Sequence, residues 1–383
     1  TDADLVVNGT LFDVPAGGVS ATFKVGGETY DIDGESRRRG AVRSTDLSRR
    51  VGEAQASFDL PIAKRSKGVL APLGDLSLNA NFALDQLSDF GTLTTYGFGA
   101  NWSPVKPLRL IASFTQEDGA PTIQQLGDPE TVTPGVRVFD FVRGETVDVT
   151  QISGGDASLV ADNRRVAKLG LTFKPFEKQN LTFRADYVVT RINDAIASFP
   201  TATAEIEAAF PERFVRDADG QLLQVDVRQV NFEREDRQQL RWGFTFSKSF
   251  GPTRPPGRTP NVPGRDGGPP GDGPPPGGFG GGGPGGGGFG GGRGGGGRGA
   301  FGGGPPGGGT LNLAVFHTWT FQDDILIRPG VPKLDLLNGA ASGTSGGTPR
   351  HQVEVQAGGS KNGFGLRLEG KWRSATDVRG GLV

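Results

Sequence analysis

One pattern constrains this chain more than any other: a two-residue alternation of apolar and polar side chains, in segments of about ten residues. In 76–85, Leu76, Leu78, Ala80, Phe82 and Leu84 fall on one face, and Ser77, Asn79, Asn81 and Asp85 on the other. In 181–190, Leu181, Phe183, Ala185, Tyr187 and Val189 oppose Thr182, Arg184, Asp186 and Thr190. Segment 239–247 sets Leu240, Trp242, Phe244 and Phe246 against Gln239, Arg241, Thr245 and Ser247. Near the end, Phe364, Leu366, Leu368 and Trp372 oppose Arg367, Glu369, Lys371 and Arg373. The same rhythm marks 5–13, 18–30, 51–62, 93–103, 107–116, 165–175, 310–321 and 351–358, which makes about twelve strands. Many have the ~9–11 residues of a tilted membrane-spanning strand. Helical periodicity is confined to a short stretch at 202–211.

The connections alternate in length. Short links are expected at Pro15-Ala16-Gly17, Ser103–Pro107, Phe176–Asn180 and Ser360–Asn362, and longer polar ones at 34–50, 117–163, 192–236 and 322–350. A soluble sandwich has no reason to sort its loops by length to opposite strand ends. A membrane barrel has one, with short periplasmic turns and long extracellular loops. Aromatics at strand ends (Trp102, Phe173, Phe250, Trp319, Phe321) fit interfacial girdles, although singly each fits the end of a soluble core as well. The expected fold is therefore all-β, an antiparallel transmembrane β-barrel in the outer membrane of a Gram-negative bacterium, with membrane lipid as its first partner. The absence of any run near the ~18 apolar residues of a spanning helix does not count against it, because barrel strands alternate. His317 sits awkwardly, since strict alternation puts it on the apolar face with Val315 and Trp319; an interfacial position or a bulge would account for it.

Composition narrows the chemistry. There is no cysteine, so no disulfide framework and no thiolate metal site. Only His317 and His351 supply imidazole, which leaves little material for histidine catalysis or a His-rich metal site. A net charge of −1 gives no field for nucleic acid. Methionine is absent even at position 1, so a longer precursor is expected and no signal peptide is there to read. Residues 251–309 are first proline-rich and then nearly all glycine, a composition expected to stay disordered between barrel segments 1–250 and 310–383. Its Phe289 to Phe301 stretch resembles the Arg–Gly segments of RNA-binding proteins, but with Asp266 and Asp272 diluting few arginines, a flexible linker is the stronger reading and no nucleic-acid partner is expected. Strand counting puts this insert on the short-turn side.

At 106–127 an upward strand runs into Gly119-Ala120-Pro121-Thr122-Ile123, and after a long loop the chain reads Gly155-Asp156-Ala157-Ser158-Leu159-Val160-Ala161-Asp162-Asn163. These resemble the Phe-Arg-Ala-Pro-Ser-Leu and Asn-Pro-Asp-Leu-Lys-Pro-Glu-Thr segments of TonB-dependent receptors, with the proline and glutamate of the second replaced. Leu326 to Gly330, Leu334 to Asn338 and Thr348 to His351 are similar to a proteobacterial branch of that family. The resemblance implies an internal fragment of a roughly 22-stranded barrel. It also implies a plug domain and a closing strand outside this chain, and the TonB energy-coupling protein as a partner. The cargo would be a small-molecule ligand such as a metal chelate, a cobalamin or a carbohydrate. An open block would leave two unpaired edges in lipid, so the fragment is not expected to transport alone.

No enzyme chemistry emerges. Glu117-Asp118, Asp323-Asp324 and Glu233 to Asp236 are adjacent carboxylates, which on a strand point to opposite faces and make a poor catalytic dyad. Lys24, Arg184, Arg241, Arg367 and Lys371 all fall on the polar face and would line the lumen. No catalytic, cofactor-binding or metal residue is singled out, no cofactor is expected, and ligand contacts are expected from loops 117–163 and 192–236. The competing function is a secreted or surface-displayed β-rich interaction protein with a glycine-rich linker, which would fold without detergent.

Overall fold

The computed structural model describes residues 2–38, 41–251, 308–340, 347–362 and 364–377. Its strands are, in chain order, β1 (Asp2–Val14), β2 (Gly17–Arg38), β3 (Ala41–Ala63), β4 (Asp75–Leu87), β5 (Gly91–Val105) and β6 (Leu108–Gly119). A short helix α1 (Ile123–Gly127) and strands β7 (Thr131–Asp140) and β8 (Glu145–Ser153) follow, then β9 (Asp162–Phe173) and β10 (Asn180–Ala197). Helix α2 (Ala204–Ala209), β11 (Phe214–Arg216), β12 (Leu222–Asp226), β13 (Val230–Phe250), β14 (Gly309–Leu326), β15 (Leu334–Asp335), β16 (His351–Lys361) and β17 (Phe364–Arg373) complete the chain. The main sheet runs β1-β2-β3-β4-β5-β6-β9-β10-β13-β14-β16-β17, with β15 paired on β14 as a thirteenth strand. Every strand expected from the alternation is in that path, each paired antiparallel with its neighbours. Among the described residues β1 and β17 do not pair with each other, so the sheet is an open array.

Register fixes two faces with inverted polarity. On β5, Tyr96, Phe98 and Trp102 are exposed, while Thr95, Gly97, Gly99 and Asn101 between them are not. On β4, Phe82 is 54% exposed, whereas its neighbours Asn81 and Ala83 are half-buried. A flat sheet would expose both faces alike, so the lower exposure of the polar residues means that the sheet curls around them. Folding in water buries the apolar face instead; here that face is left bare from β1 to β17. Along β14 the bare band runs from Leu311 to Phe321, and Gln322 and Asp324 follow on the same side. Ten residues at ~3.3 Å each, tilted ~40°, give roughly 25 Å, the height of an outer-membrane apolar band.

The loops sort to opposite ends, with four corrections. Of region 34–50, expected as a loop, residues 34–38 extend β2 and residues 41–50 extend β3, with Ile32 opposite Leu47 and the pairing kept to Arg38 opposite Ala41. The backbone ladder, which needs no apolar side chains, carries the strands on. The β4–β5 link on the long-loop side is only residues 88–90, and the β3–β4 link on the short side holds two single-turn 3₁₀ helices, Arg65–Lys67 and Ala71–Leu73. The expected loops 117–163 and 192–236 are not irregular but carry α1, β7, β8, α2, β11 and β12. The insert expected at 251–309 lies almost wholly outside the described residues, but its frame is visible: Phe250 pairs with Gly309, so β14 begins one residue inside the expected boundary.

Candidate functional site

The two stretches resembling receptor motifs meet in space. Gly119 ends β6 and pairs with Asp162 at the start of β9. The chain then buries Ala120 and Pro121 and enters α1 through Thr122. Thr122 Oγ1 accepts from Gln125 N while the Gln125 side chain accepts from Thr122 N, a capping box that satisfies two otherwise unpaired amides. Gly155 N donates to Asp128 O and Asp156 N to Gln125 O, so the second motif lies against the end of the helix begun by the first. A Cβ at Gly155 would meet Asp128 N at 2.6 Å, which explains the glycine by close backbone approach. Arg49 seals the other side, ion-paired with Asp89 at 2.7 Å and donating to Pro121 O at 2.8 Å.

The long loops join into one body. Hairpin β7–β8 from the first and β11–β12 from the second form a four-stranded sheet, with β12 parallel to β8. Beneath it lies the larger apolar core of the described residues: Val147, Val149, Ile206, Phe210, Phe214, Leu222, Val225, Phe232 and Ile327, with others. This core sits over the long-loop end of β10, β13 and β14, where the strands' own apolar face ends. Sequence reading missed it because its members are scattered across three loops in no regular period.

Charge locks the body. Arg216 holds Asp140 at 2.7 Å and also pairs with Glu207 at 2.6 Å. Arg213 bridges Asp156 (2.7 Å) and Asp226 (3.1 Å), and Asp226 also holds Arg228 at 2.6 Å. Arg328 stacks on Phe210 at 4.0 Å, donates to Ala209 O and pairs with Glu212. The Arg216 guanidinium beside it holds the Asp140 carboxyl below its ordinary value, against burial that pushes the other way, with further help from the Arg143 and Val142 amides. Burial raises Asp156 and Asp226 as well, but hydrogen bonds from Ser158 and Arg213 to the first, and from Arg228 to the second, bring both down on balance. These arginines brace loop to loop through carboxylates, so their charge is already partnered.

Two recesses open on this body. Val138, Phe139, Phe141, Gln151, Pro200, Thr201, Ala202, Val225 and Val227 line an apolar cleft of about 210 Å³. Leu47, Ser48, Asp89, Phe90, Ile123, Leu126, Gly127 and Ala157 line one of about 260 Å³ beside α1. Each is below the ~300–1,000 Å³ of usual small-molecule sites, so each accommodates part of a ligand at most. Among the described residues there is no group of three or more His, Asp or Glu placed to hold a metal.

The lumen-lining residues expected from sequence fall on the polar face. Lys24 is ion-paired with Asp4 at 3.2 Å and with Glu53, and Arg241 with Glu354 at 2.8 Å, lying over Phe316. Arg367 pairs with Glu369 on its own strand. Adjacent carboxylates diverge as expected: Asp323 turns toward Arg237, while Asp324 on the other face meets Gln322 and Lys333. The register slips at residue 321, between the pairs Gln238–Gln322 and Gln239–Thr320, beyond His317. A bulge therefore does not rescue His317, which stays on the apolar face opposite Trp242.

No protein-family model and no curated protein matches the chain. Solved structures do. The ferric enterobactin receptor PfeA of Pseudomonas aeruginosa (mutant Q482A) in complex with enterobactin shares 13% identity at a TM-score of 0.52, covering 97% of this chain and 41% of that one. The RagAB peptide transporter shares 10% identity at a TM-score of 0.53, covering 96% and 40%. The fold is thus the antiparallel strand array of outer-membrane receptor barrels, as the resemblance to TonB-dependent receptors implied. The chain spans about two fifths of the length of those structures.

Proposed function

We propose that this chain is part of the barrel of a TonB-dependent outer-membrane receptor that takes up a scarce nutrient as a small-molecule ligand. The observation that carries this reading is the inverted sheet: a continuous bare apolar face outside, paired charges inside, and an aromatic boundary at the loop-side end. Only a lipid exterior makes that arrangement favourable over so many strands. The braced loop body stands where a receptor meets its ligand, and its apolar clefts suit a hydrophobic or aromatic portion of one. Segments 1–250 and 310–383 supply barrel strands and their loops, and the strands that flank 251–309 meet it at their periplasmic ends. A metal chelate, a cobalamin and a carbohydrate all remain within this reading, and the plug and TonB contacts belong to the complete receptor.

The test is refolding in detergent and in plain buffer, followed by far-UV circular dichroism and heat-modifiable gel migration. Folding that requires detergent is expected. A cooperative, monomeric fold in buffer alone would leave the surface-displayed interaction protein as the better account.

A further inference from the structure

The chain has two histidines, and the sheet brings them together. His317 lies within β14 and His351 opens the adjacent β16, where it faces Trp319. His317 Nε2 and His351 Nδ1 are 3.1 Å apart, one donating to the other, with ring planes 17° apart. Both rings point to the apolar face, flanked by Trp242 edge-on to His317 and Trp319 against His351, each with centroids 5.6 Å away. His351 stands one same-face position, and His317 two, below the polar boundary where Gln238 and Gln322 begin, which on the receptor reading is the loop-side membrane interface. On an otherwise apolar face their mutual hydrogen bond satisfies only one nitrogen of each ring, and the second nitrogen of each still calls for a partner.

We propose that His317 and His351 form a two-imidazole clamp for a divalent transition-metal ion at the outer interface. Nitrogen ligands at the ~2.0–2.1 Å of imidazole–metal bonds stand about 2.9 Å apart when cis at right angles and about 3.4 Å apart in a tetrahedron. The observed separation falls between these, and the rings must turn so that the two lone pairs, directed at each other in the hydrogen bond, converge on the ion. Binding places the ring protons on His317 Nδ1 and His351 Nε2, a tautomer change through interfacial water that releases no net proton from a neutral pair. Water fills the remaining positions. Imidazole donors suit copper, nickel and zinc rather than calcium or magnesium, and copper binds tightest of that series.

Cu²⁺ titrated into the folded full chain in detergent tests this through tryptophan fluorescence, because bound copper quenches nearby indoles. Saturable quenching at one equivalent is expected in the unmodified chain. In His317→Gln and in His351→Gln the affinity should drop about tenfold or more, since loss of a ligand does no less than loss of a supporting outer-shell group. Copper affinity in both variants equal to that of the unmodified chain would overturn the clamp. Should either variant lose heat-modifiable migration, the unmodified chain decides: carbethoxylation of its histidines should slow when Zn²⁺ is present, and unchanged rates would reject the site. Neither result depends on transport, so the receptor reading stands or falls separately.

Discussion

At the scale of single residues, the loop body hangs on a few arginines. Arg216 ties α2 to β7 through Glu207 and Asp140, and Asp140 is almost fully enclosed. Removing one partner of such a pair strands the other in a poorly solvated site. Arg216→Ala should therefore weaken the loop sheet by about 3 kcal/mol, read as faster amide exchange across 131–153 and 214–226 with barrel strands unchanged. Protonation should act on the same bond. The Asp140 carboxyl is held below its ordinary value by Arg216, so its contribution is complete above the unfolded carboxyl pKa of ~3.9 and is lost as pH falls through the lower folded value. Proteolysis of the loop body should stay flat from neutral pH to about 4 and rise below it. In Asp140→Asn that acid-induced rise should be smaller, and an identical profile would show that other carboxylates govern it.

At the scale of elements, neighbouring residues on one strand should respond oppositely to the same substitution. Phe82 stands on the bare face and Asn81, one residue away, on the enclosed polar face. Phe82→Arg should destabilise the folded barrel by about 2–4 kcal/mol, as lipid-facing arginine does near the midplane, while Asn81→Arg should be tolerated. Urea midpoints in lipid vesicles separate the two; equal losses would mean that the apolar face of β4 does not meet lipid. This contrast was legible from 76–85 alone, because a period of two assigns faces without tertiary information. The extension of β2 to Arg38 and of β3 back to Ala41 was not. Gly34, Ser36, Arg37 and Arg38 look like a polar loop, yet a backbone ladder continues wherever a partner strand is already aligned.

At the scale of the whole molecule, all four tryptophans lie on the apolar face. Trp102, Trp242, Trp319 and Trp372 are 39%, 51%, 39% and 57% exposed. In vesicles, brominated lipid chains should quench most of their emission and aqueous iodide little of it. The reverse order would place this face in water.

Local pattern was enough for the strands, their faces, the sorting of most loops and the fold class. These follow from local periodicity, because every residue of such a strand falls on one of only two faces, the bare apolar one or the enclosed polar one. The loop body emerges only in the assembled fold. Val149, Ile206, Phe210, Phe214 and Ile327 come from separate loops, and no local period marks residues whose burial depends on which loops meet. The same holds for His317 and His351, which sequence set aside as too few for chemistry. Their separation along the chain is closed by the antiparallel register of β14 and β16, and register is a property of the assembled sheet.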